Sequence, residues 1–163
     1  MKTKALFLFF VLAVFTACEG PEGPPGQDGI NILGQTFERT VNFQYNPTNN
    51  LLEAFVTIPN SVEVWESDAI LVYRLDGVYN GSDIWGLIPQ NFFLENGKMI
   101  QYVYNHTFFD IMLMIDGNFD LSTLGSGYTQ NQTFRFVVVP SEFVVSSGVD
   151  IQDYEAVMNA LNL

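Results

Sequence analysis

His106 and Asp110 stand four residues apart in "YNHTFFD". A carboxylate that orients an imidazole is the general-base half of many hydrolytic centres, so this pair defines a hydrolase reading. No nucleophile motif accompanies it: GxSxG, HExxH, Walker A and GxGxxG do not occur, and the bland reading is a histidine in a turn. In "DGNFD", Asp116, Asn118 and Asp120 occupy alternate positions, the spacing of the hard oxygen ligands that open an EF-hand loop. The sixth position is Leu121 instead of Gly and the twelfth is Gly127 instead of Glu. The EF-hand fails, leaving a looser Ca²⁺ site or a plain Asp-Gly turn. Tyr79, Trp85 and Tyr128 lie in or beside loops, where exposed rings stack on glycans; buried, the same rings would be core. One His and one Cys cannot build the usual zinc site. No catalytic residue is assigned, and the sequence points to no enzyme.

The remaining reactive group is the thiol of Cys18, the only cysteine in the chain. Lys2 and Lys4 precede an uncharged, largely apolar run from Ala5 to Ala17, the pattern of a secretory signal. The run is 13 residues long, and a spanning helix needs about 20. "VFTAC" resembles the bacterial lipobox, in which the chain is cut before a cysteine acylated on its thiol, although Phe15 stands where an aliphatic residue is usual. The alternative is an ordinary signal peptide followed by an incidental cysteine. Lipidation at Cys18 makes residues 1–17 the signal peptide and ties the rest to a membrane through covalent lipid, with no further cofactor required. It also denies the exported domain any internal disulfide.

Those groups need a scaffold, and its surface is acidic. Removal of residues 1–17 leaves Arg39, Arg74, Lys98 and Arg135 against 18 acids, 4 − 18 = −14. Nucleic acids and anionic lipid surfaces, which need clustered Lys and Arg, are excluded as partners. Residues 18–34 carry glycine at positions 20, 23, 26 and 29 with Pro21, Pro24 and Pro25. Four triplets broken at "INILG" are too few to nucleate a collagen trimer, and they read as a semi-rigid polyproline spacer.

From residue 35 the period becomes two. "TFERTVNFQY" alternates with Phe37, Val41, Phe43 and Tyr45 on one face, and "LLEAFVTI" follows the turn "NPTNN". "AILVYRL" is apolar on both faces and therefore central. "DGVYNGSD" reads as a loop before "IWGLI", and Asn96-Gly97 in "FFLENGKMIQYVY" reads as a type I′ hairpin. "FFDIMLMI" and "TFRFVVV" bring the count to about eight strands. The fold class is all-β, an antiparallel β-sandwich, immunoglobulin-like or jelly-roll-like, over residues 35–163. A helix over 150–162 is expected, capped by Asp150, with Ile151, Tyr154, Val157, Met158 and Leu161 on one face, covering an edge or open end of the sandwich.

With the lipobox, the Gly-X-Y run, "FERTVNFQY" and "FRFVVVP…DYEAVMNAL" in view, the chain resembles the small lipoproteins of Bacteroidota bacteria that carry a short collagen-like segment. The resemblance implies an outer-membrane or cell-surface location and transfers no catalytic or ligand residues. The functional expectation is a lipid-anchored envelope protein acting as a binding or structural module for envelope proteins or glycans. A glycan- or calcium-binding surface module is the alternative, and the His106/Asp110 hydrolase is the second.

Overall fold

The computed structural model describes residues 34–141 and 147–163. The expected signal peptide, Cys18 and all of the spacer before residue 34 lie outside them. Alternating hydrophobicity gives strands wherever the turn chemistry permits a reversal. In order these are β1 (Gln35–Val41), β2 (Gln44–Asn46), β3 (Leu51–Thr57), β4 (Ala69–Tyr79), β5 (Ser82–Leu87), β6 (Gln90–Phe93), β7 (Met99–His106), β8 (Asp110–Gly117) and β9 (Gln132–Val139). They form an antiparallel sandwich of two sheets, ordered β1-β9-β4-β5 and β2-β3-β8-β7-β6. β4 is internal, as its two apolar faces require.

Three departures from the sequence reading have local causes. The first strand is two: the chain leaves one sheet after Val41 and enters the other at Gln44, because Phe43 turns into the core and its N–H donates to the Thr129 carbonyl at 2.8 Å. Tyr45, expected inside with Phe43, is consequently exposed. The "DGVYNGSD" loop is largely strand, since Asn80 and Gly81 adopt positive φ (51° and 83°) and close a tight turn between β4 and β5. β8 starts at Asp110, because the Thr107 hydroxyl oxygen accepts the N–H groups of Phe109 and Asp110, both at 3.1 Å, and folds Phe108 and Phe109 into a hairpin tip. The Asn96-Gly97 turn has both residues at positive φ, 59° and 71°, as its dipeptide predicts.

Between the sheets pack the inward side chains, among them Ile70, Val72, Ile100, Ile111, Leu113, Ile115, Phe134 and Phe136, all essentially without solvent contact. Phe37 stacks on Phe136 at 4.7 Å, and Phe43 meets Tyr102 and Phe134 edge-on. A second apolar cluster lies on the outer face of the four-stranded sheet, where Leu71, Tyr73, Val137 and Val139 are covered by Val157 and Leu161. Those two come from α2 (Tyr154–Ala160) and the residue after it, so the C-terminal helix covers a sheet face instead of an edge or an open end. The helix is also shorter than 150–162. Asp150 accepts from Gln152 N–H in a turn of its own, and Asp153 is the cap, accepting from Ala156 N–H at 3.1 Å. Ile151 is therefore outside the helix and 40% exposed. A shorter helix, α1 (Ser126–Thr129), precedes β9.

Leu161 contacts the chain's entry into the domain as well: a Cβ on Gly34 would fall 2.6 Å from Leu161 Cβ. Leu161→Ala should lower unfolding free energy by about 2–5 kcal/mol, read from the denaturant midpoint. A second expectation concerns pH. Burial, reinforced by Tyr154, pushes the Tyr73 phenol up to about 12, burial does the same to Tyr102, and it raises Tyr104. The unfolded phenol titrates near 10, so the folded state keeps protons that the unfolded chain releases. The stability from neutral phenols is complete below about pH 10 and disappears between roughly pH 10 and 12. Phenolate absorbance should thus finish rising only as the circular dichroism of the sheets is lost; completion in a native spectrum would contradict the burial.

Candidate functional site

The two ends of the sandwich differ. At the end holding the β4–β5 and β6–β7 hairpins, Arg74 points inward from β4 between the sheets, its side chain only 12% exposed. Its Nε and Nη2 donate to Gln132 Oε1 at 3.1 and 3.0 Å, and Nη1 donates to Asp76 Oδ1 at 2.6 Å. The guanidinium lies over the rings of Tyr102 and Phe92, 4.9 and 5.1 Å from their centroids. Gln132 donates onward to the Gly127 and Gln130 carbonyls, and Gln90 Nε2 donates to Asp76 Oδ2 at 2.8 Å. Gly86 makes that last contact possible, since a Cβ there would stand 2.5 Å from Asp76 Oδ2 and 2.8 Å from Gln90 Nε2. This end is closed by a hydrogen-bonded polar network in which Gln90 Oε1 alone is buried without a partner among the described residues.

At the opposite end, where β1 begins and β3 and β9 finish, Val62 and Val64 of the β3–β4 connection pack against the core, and a cleft lies on the surface beside them. Trp65, Glu66 and Asp68 on the β3–β4 connection face His106 and Phe108 on the β7–β8 hairpin across a cleft of about 290 Å³. The connection is shaped by Asp68, whose Oδ2 accepts from Trp65 N–H at 3.0 Å, and is tied to β1 by two hydrogen bonds between the Gln35 side chain and the Glu63 backbone. Trp65 is 65% exposed, Phe108 44% and Phe109 66%. Glu66 has no hydrogen-bond or ion-pair partner among the described residues. Wider grooves of about 680 and 480 Å³ run between β1 and β3. Their one carboxylate, Glu53, is already engaged: hydrogen bonds from Asn49 and Asn46 hold it below its ordinary range.

The residues singled out in the sequence are scattered relative to this cleft. His106 lines it and stacks on Tyr104, with ring centroids 6.3 Å apart. Asp110 does not orient the imidazole; it accepts from the Thr107 hydroxyl at 2.6 Å, while His106 Nδ1 lies 3.3 Å from the Thr107 carbonyl. Asp116, Asn118 and Asp120 sit at the closed end and each accepts from its own chain. Asp116 takes Gly117 N–H, Asn118 takes Met99 N–H at 2.8 Å, and Asp120 takes the hydroxyl and N–H of Ser122, which keep its carboxyl below the usual range. Among the described residues no three His, Cys, Asp or Glu side chains are grouped to hold a metal ion. Tyr79, 69% exposed, is at the β4–β5 tip. Trp85 is half-buried on the outer sheet face beneath Arg135, and Tyr128 packs edge-on against Phe92 beside the core. The three rings do not form one platform.

Reading the sequence by motif passes over Trp65, Glu66 and Phe108. The signal that could find them is a Trp-Glu-Ser-Asp run and a Phe-Phe pair at reversals, where rings gain no burial. A second pattern emerges only in three dimensions. All four Lys and Arg among the described residues lie over aromatic rings: Arg39 over Phe37 at 5.4 Å, Arg74 as above, Lys98 over Phe119 at 4.5 Å, and Arg135 over Trp85 at 4.1 Å. Trp65 and Phe108 have acid beside them and, among the described residues, no Lys or Arg above them.

No protein-family model matches the chain, and neither does any curated protein or solved structure. The site is therefore read from its own geometry. That geometry gives Asn118 a structural task, because its Nδ2 also donates to the Gly97 carbonyl at 3.0 Å and so clamps the β6–β7 turn. Asn118→Ala should cost about 1–3 kcal/mol of stability in calcium-free buffer. An unchanged denaturant midpoint would show that the clamp contributes nothing.

Proposed function

We propose that this chain is a lipid-anchored protein of the bacterial cell envelope, displayed on the outer membrane, whose β-sandwich is a binding module. The observation that carries the reading is Cys18: a single cysteine directly after an apolar run that ends in small residues, followed by a Gly- and Pro-rich stretch. More than one acyl chain on that residue would anchor the protein without help from its surface, since each buried CH₂ contributes roughly 0.8 kcal/mol. The acidic balance fits this division of labour, because such a surface gains nothing from anionic headgroups. Exposed rings such as Trp65, Phe108 and Phe109 on connections between strands support binding as the module's task.

Cys18→Ala should abolish incorporation of labelled fatty acid and move the protein from the membrane fraction to the soluble one. Labelling that persists in the variant would sink the anchor. Protease added to intact cells should remove the wild-type domain, as an outward-facing protein requires.

A further inference from the structure

We propose that the cleft beside Trp65 receives the cationic side chain of a partner protein, an arginine or lysine presented on a basic segment. This deepens the binding-module reading and rests on it. The argument begins with how the chain treats its own cations. Each one is held over a ring, and two have a carboxylate at the same place: Arg74 with Asp76 at 2.6 Å, and Arg135 with Glu38 at 2.5 Å while over Trp85. Ring plus carboxylate is thus the arrangement that holds two of the three described guanidinium groups, Arg39 having a ring and a backbone carbonyl instead, and the physics is general: the ring face is electron-rich and the acid supplies the counter-charge.

The Trp65 cleft has the same components. Trp65 and Phe108 offer ring surface and Glu66 has no partner among the described residues, while Asp68 adds negative charge beside them although its oxygens already accept from Trp65 N–H and Ser141 N–H. Among the described residues every Lys and Arg lies over another ring, so none of them fills it. At about 290 Å³ the cleft is at the small end of ligand pockets and suits one side chain, not a helix or a folded surface. The formal charge of −12 over the whole sequence would raise the encounter rate with a basic segment. A neutral sugar could stack on Trp65 but would draw no benefit from that field, and it is the competing outcome of the test.

The experiment uses the full-length protein in detergent and a fluorescently labelled Gly-Arg repeat peptide, with its citrulline counterpart as the uncharged isostere. Polarisation should show saturable binding of the arginine peptide and none of the citrulline one. Trp65→Ala and Glu66→Gln should each weaken binding at least about fivefold. Tyr79→Ala and Asp116→Asn, which alter an exposed ring and an exposed acid at the other end, should leave it unchanged. All four positions are exposed, so the variants should fold. Equal loss in Asp116→Asn would mean diffuse charge attraction and overturn the proposal. So would indifference to Trp65→Ala, binding of neither peptide, or saturable binding of maltohexaose at Trp65. Cys18→Ala should retain peptide binding, so failure of the cleft and failure of the anchor are distinguished.

Discussion

The guanidinium of Arg74 lies between two β-sheets, where an unpaired charge would be expelled or would bring water with it. It remains because Gln132, Asp76 and the faces of Phe92 and Tyr102 satisfy its donors and its charge together. Those partners come from β4, β6, β7 and β9, so one side chain fixes the relative position of both sheets and of the crossover between β5 and β6. The loop before β9 depends on it too, through the Gln132 amide and the bond from Tyr102 hydroxyl to the Tyr128 carbonyl at 2.6 Å. With that end locked, connections at the other end can be shaped by something besides closure.

The domain has one cysteine at most to offer and that one precedes it, so covalent cross-links do not contribute to its stability. Two apolar layers take their place. One is the interior of the sandwich; the other is the outer face of the four-stranded sheet under the C-terminal helix. The second layer makes β4 and β9 apolar on both sides, the only strands here with that pattern, and leaves the outer face of the five-stranded sheet to half-buried and exposed residues such as Phe55, Met112 and Met114.

Much of this was legible before any coordinates. Period-two stretches located the strands and Asn96-Gly97 located a hairpin, because the pleat and the left-handed turn are local consequences of residue type, while the hairpin at Asn80-Gly81 read only as a loop. What could not be read was where a strand changes sheets. Phe43 and Tyr45 have the same parity and similar character, and only the Thr129 carbonyl waiting for Phe43 N–H separates them. The helix start was misplaced by one aspartate, since Asp150 and Asp153 are both competent caps and packing of Val157 selects between them. The candidate site suffered most. The sequence reading takes Trp85 as a binding ring and passes over Trp65, but Arg135 covers the first and nothing from the described chain covers the second. Exposure is set by neighbours remote in sequence, and motifs do not encode it.

The placement of every cation on a ring has a consequence for how copies of this protein meet one another. Two identical domains side by side present acid to acid, and neither has a spare arginine or lysine among the described residues to offer the other's cleft. A cation for that cleft would have to come from outside the described residues of a second copy. At physiological ionic strength the repulsion between two such acidic surfaces extends about 8 Å. On the proposed reading of the cleft, the cation that closes the contact is one the partner must bring.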